Sequence, residues 1–118
     1  MVRMDNFREF EVGPDAFGRT WQARFLWQQT AIAIRHSDSV DVKFAITDGE
    51  MQEEKVIALM HPMLLALCGR MGRSISDALC MKLAAVHLKQ MIETGEDMEK
   101  RLVTMSASDL EGAQARIG

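Results

Sequence analysis

Between Thr20 and Trp27, and again between Val40 and Thr47, apolar and polar residues alternate nearly one for one, while beyond Pro62 the apolar spacing becomes helical. Alternation puts successive side chains on opposite faces of a strand, and a period near 3.6 gathers them on one side of a helix. The order of the two patterns predicts an α+β fold. We expect an antiparallel sheet of three to four strands in the N-terminal half, packed against two main C-terminal helices and followed by a short terminal helix.

Trp21, Ala23, Phe25 and Trp27 share one parity, opposite Thr20, Gln22 and Arg24, so the first long strand has an aromatic face that calls for a cover. Past Gln28, Ile32 and Ile34 fall on the other parity. A strand moves its apolar set across only through a bulge or bend, which the pattern places near residues 28–31. The polar stretch from His36 to Ser39 then joins it to Val40, Val42, Phe44 and Ile46, the clearest hairpin signal in the chain. Upstream, Phe7, Phe10 and Val12 suggest a short strand ended by the turn Gly13-Pro14-Asp15. Residues 50–60 read two ways. Thr47 and Glu50 have capping-box spacing for a helix, but Asp48-Gly49 is a turn dipeptide and the run Val56 to Met60 stops at His61-Pro62, which favours a fourth strand.

Pro62 suits a first helical turn, and Gly69 and Gly72 end the short helix that follows. Ser74, with Asp77 three residues on, or Ser76 caps the next helix, which runs to about Glu93. Ile75, Leu79, Leu83 and Val86 form a stripe, and Cys80, Met81, Ala84, Leu88, Met91 and Ile92 extend apolar character round most of the circumference. One small protomer has few atoms with which to wrap such a helix, so the pattern predicts a homodimer through apolar helix or sheet surface. Leu102 to Met105 adds a short strand or an extended cover, and Ser106 with Asp109 opens the terminal helix.

A length of 118 residues fits a single domain spanning 1–118. The net charge of -3 disfavours nucleic acid as a partner. Met1 to Val12 lacks the apolar core of a signal peptide, and no apolar run approaches the ~18 residues of a membrane span, so a cytoplasmic protein away from membranes is expected. Cys68 and Cys80 read as buried, reduced thiols in such a compartment.

No motif specifies an activity. His36, His61 and His87 lie in three different elements without metal-ligand spacing, and two cysteines make no zinc site, so neither a metal nor a cofactor is expected. His36 reads as a solvated turn residue and His87 as a partly buried one. His61 is the candidate for a pocket, standing where the last strand of the hairpins turns into the first helix. Gly69-Arg70-Met71-Gly72-Arg73-Ser74 puts two arginines ahead of a helix N-terminus, which makes Arg70, Arg73 and Ser74 candidate anion-binding residues, although the loop fits neither phosphate-binding motif. The serines occupy turns and caps, and the carboxylate clusters at 50–54 and 93–99 read as solvated surface. Ten methionines serve as adaptable core filling or, as the sharper alternative, line a partner groove.

The sequence reading is therefore a protein with no assignable activity, leaning away from an enzyme. It is best taken as a small interaction or regulatory module acting as a homodimer, open to a further protein partner. Trp21, Phe25, Trp27, Leu79, Leu83 and Leu88 are its core or interface residues. A small-anion-binding protein using the Gly69 to Ser74 turn, and an enzyme with a pocket at His61, are the alternatives.

Overall fold

The computed structural model describes residues 7–15, 17–31 and 38–117. Four strands, β1 (Glu9–Val12), β2 (Trp21–Ala31), β3 (Ser39–Thr47) and β4 (Gln52–Met60), form an antiparallel meander. Helices α1 (His61–Met71) and α2 (Asp77–Thr94) then carry the chain across to β5 (Leu102–Met105), and α3 (Ala107–Ile117) follows. The sheet order is β1-β2-β3-β4-β5. β5 pairs parallel to β4, so the sheet is mixed, with one strand more than the alternation alone supplied.

Local chemistry explains most element boundaries. In the β3–β4 turn, Asp48 Oδ1 accepts from the backbone N–H of Glu50 and Met51, and Gly49 takes a φ of 100° that a side chain would resist. Residues 52–60 are therefore a strand and not a helix. Pro62 lies in the first turn of α1, and Gly72, left-handed at φ 65°, ends that helix with its N–H on Gly69 O while Arg73 N–H reaches Cys68 O. Ser76, the second of the two candidate caps, accepts from Leu79 N–H through its hydroxyl and starts α2. Ser106 and Asp109 exchange side-chain to backbone bonds of 2.9 and 3.1 Å at the head of α3.

The core lies between one face of the sheet and the helices. Trp21, Ala23, Val42, Phe44, Ile46, Ile57, Leu59, Val103 and Met105 supply the sheet side. Phe44 takes edge contacts from Phe10 and Phe25 at about 6 Å. Above it, α2 touches β1, β2, β3, β4 and α3. Leu79, Cys80, Met81, Leu83, Ala84, Ala85, Val86, His87, Leu88, Met91 and Ile92 are all buried by this one chain. The surplus of apolar helix surface expected from the sequence is thus absorbed internally, and α2 needs no second copy to hide it.

The irregularity of β2 lies earlier than the parity change suggested. Phe25 pairs with Phe44 and Trp27 with Lys43, which leaves Leu26 as the extra residue of a bulge. Beyond it Trp27, Gln28 and Gln29 take the opposite faces from those the earlier parity would give them. Trp27 therefore leaves the face of Trp21 and Phe25, and Gln28 turns towards α2. Ile32 and Ile34, whose parity prompted the expectation, lie outside the described residues.

Candidate interaction surface

Since the helices all take the core face, the other face of the sheet has no layer over it among the described residues. Pair register builds that face row by row. One row runs Trp27, Lys43, Val56 and Leu102 across β2, β3, β4 and β5. Its neighbours carry Arg24, Ala45 and Glu54 on one side and Gln29, Asp41, Ala58 and Thr104 on the other. Trp27 is 38% exposed and Leu102 56%. Ala45 and Ala58 are almost covered although no described element packs above them, because small side chains sink between longer neighbours.

Electrostatics knit the row together. Lys43 Nζ stands 3.0 Å from Glu54 Oε1 and 5.5 Å from the centre of the Trp27 ring, so one cation meets a carboxylate and an aromatic face. Held like this, the Lys43 charge is partly neutralised. A shallow depression of about 250 Å³ adjoins it, between Arg24, Ala45, Thr47 and Gln52.

Two further concavities are present, and Trp27 and Gln29 of this face also line the larger of them. The larger, about 680 Å³, opens between the far end of β2 and the start of α2, with Phe25, Val40 and Met81 as apolar walls and Arg8, Gln28 and Asp77 as polar ones. Gln28 Nε2 donates to the backbone O of Asp77 at 3.2 Å, so two of these polar groups already engage one another. The other, about 490 Å³, lies among Glu53, Glu54, Lys55, Met98, Glu99 and Arg101.

The residues singled out from sequence are dispersed. His61 is half-buried at the β4–α1 junction, its backbone N–H donating to Asp38 O, and it lines none of these three concavities. Arg70 turns to α3 and pairs with Glu111 at 2.6 Å. Arg73 and Ser74 are exposed in the turn, Ser76 is the cap, and Asp77 puts a carboxylate into the first turn of α2, where an anion would have to sit. Trp21, Leu79, Leu83 and Leu88 are core, Phe25 is half-buried against it, and only Trp27 reaches the uncovered face. His36 lies outside the described residues. Cys68 and Cys80 are buried and unpaired; burial, the Asp77 charge and Cys68 push the Cys80 thiol up to about 11, which makes it unreactive near neutrality.

Two polar residues, Lys55 and Asp15, take roles that the sequence reading did not assign, and a third, His87, is more deeply buried than expected. Lys55, only 2% exposed, points from β4 into the core side and donates to the carbonyls of Met98 and Lys100. Its signal was its parity with Ile57 and Leu59. Asp15 gathers the backbone N–H of Phe17 and Arg19, the Trp21 indole N–H and the Arg19 guanidinium, and the Trp21 bond above all lowers its carboxyl to about 2. His87 is buried with neither ring nitrogen bonded.

No helix among the described residues is long and apolar enough to cross a membrane. Comparison of the chain with protein-family models, with curated proteins and with solved structures gives no match.

Proposed function

We propose that the protein is a small non-catalytic interaction module of the cytoplasm that works as a homodimer, two copies meeting through the uncovered face of the sheet. The observation that carries this reading is the row Trp27, Lys43, Val56, Leu102, which puts large exposed apolar side chains at both ends of a face that no described residue covers with a second layer. A two-fold contact requires a surface that complements itself. This one carries Arg24 and Lys43 beside Asp41 and Glu54, so both signs are available to a second copy, whereas a partner of a single sign would meet repulsion. Five strands ~4.8 Å apart, the three central ones nine to eleven residues long, present roughly 20 by 30 Å, the scale of one side of a standard interface at ~800 Å² per partner. Two unpaired, buried cysteines accord with a reducing compartment.

Sedimentation equilibrium tests the reading directly. The wild-type chain should give twice its 13.3 kDa mass at micromolar concentration. Trp27→Ser and Leu102→Glu should each give the monomer mass with the folded far-UV signature retained, because both side chains are exposed within the protomer. A wild-type monomer up to millimolar concentration, or a dimer that survives both substitutions, overturns it.

A further inference from the structure

The contact between α2 and α3 contains a histidine in an unusual state. His87 is 5% exposed on α2, and neither of its ring nitrogens has a hydrogen-bond partner among the described residues. Buried polar groups are nearly always bonded, and a neutral imidazole always has one N–H to place, so this contact is left polar and unsatisfied. Gln114 on α3 repeats the pattern, its Oε1 also buried and unpartnered. Elsewhere α3 is held by Leu110 and Ala113 in the core, by half-buried Ile117, by packing on α1 and β5, and by the exposed pair of Glu111 with Arg70.

We propose that His87 makes the docking of α3 acid-labile, the neutral imidazole holding the C-terminal helix on α2 and its protonation releasing it. The ionisable groups acting on the ring are Asp109 and Arg116 from α3 and Glu96 and Asp97 from the loop between α2 and β5. The three carboxylates favour the charged ring and Arg116 opposes it, but burial outweighs them and holds the proton affinity below the ordinary 6.5. An imidazolium inside the closed contact would have no hydrogen bond to either nitrogen. With α3 away, the same ring is hydrated and still lies beside Glu96 and Asp97.

The sign follows from linkage. Well above pH 6.5 the ring is neutral whether α3 is docked or free, and pH has no effect on the equilibrium through this group. Below it the free state takes the proton first, so opening becomes easier by up to about tenfold per pH unit until the docked state titrates too. Release would bare the apolar patch that Leu110 and Ala113 cover on the helical side of the molecule, away from the sheet face proposed for dimerisation.

Amide hydrogen exchange, corrected for intrinsic rates, reads this opening at pH 7.5 and 5.5. Amides of α3 should lose protection about tenfold more than those of β3, which report global unfolding. In His87→Met the selective loss should vanish, with α3 protected at both values. Should that variant fail to fold, the wild-type His87 ring resonance gives a second reading and should titrate below 6.5. Parallel loss of protection in α3 and β3, an unchanged pH response in His87→Met, or a ring that titrates at or above 6.5 would each overturn the proposal.

Discussion

The Nζ of Lys55 donates to the main-chain carbonyl of Lys100 at 2.7 Å, reaching from β4 to the loop that returns the chain from α2 to β5. It also donates to Met98 O and lies 3.6 Å from Glu53. Next to it, the N–H of Val56 donates to Arg101 O at 2.7 Å, the first link between β4 and β5. A buried ammonium thus holds the loop at the place where the parallel pairing starts. Its cost of burial is offset because each of its bonds ends on an acceptor that would otherwise lack a donor.

Lys55→Met keeps the stem and removes the donor. Two carbonyls then lose their partner, and unfolding in urea should show a loss of about 2 kcal/mol, within the ~1 to 3 kcal/mol typical of an unsatisfied buried group. A variant as stable as the wild type would show that water satisfies the loop as well as the lysine does.

Asp15 predicts the acid behaviour of the β1–β2 turn. Its folded affinity, about 2, lies below the ordinary 3.8, so the stability it adds is complete above 3.8 and disappears as pH falls through about 2. Asp15→Asn should be less stable than wild type at neutral pH, by a margin that closes between pH 4 and 2. Urea midpoints across that range check it, and a margin independent of pH would mean that the carboxylate charge is not what holds the turn.

The turn between α1 and α2 offers a paired comparison. Ser76→Ala should cost about 1 kcal/mol, as a lost N-cap does, whereas Ser74→Ala should stay within ~0.5 kcal/mol. Inorganic phosphate should leave the thermal midpoint of the wild type unchanged, because Arg70 is engaged by Glu111 and Asp77 occupies the helix start. A clear rise in the midpoint would restore Arg70, Arg73 and Ser74 as an anion site.

Much of the fold could be read from short stretches of chain. Alternation from Val40 to Ile46, the Asp48-Gly49 turn, Pro62, the glycine at 72 and the Ser106-Asp109 cap each act over a few residues, so their outcomes are written locally. Candidate-site residues were far less legible. Trp27 shares its parity with Trp21 in the sequence, yet the bulge at Leu26 puts it on the opposite face, and that bulge exists only relative to β3. Residues 56–60 read as uniformly apolar because Ile57 and Leu59 face the core while Val56, Ala58 and Met60 line the uncovered face.

What the sequence by itself determined was the kind and order of elements, through periodicity, turn dihedrals and caps, all of them interactions between near neighbours in the chain. Tertiary structure decided which face each side chain took, that β5 joins parallel to β4, that Lys55 is buried with two carbonyls, and that α2 is enclosed by its own sheet and α3. Those outcomes depend on contacts between segments tens of residues apart, and a pattern of periods carries no record of which distant surface will lie opposite.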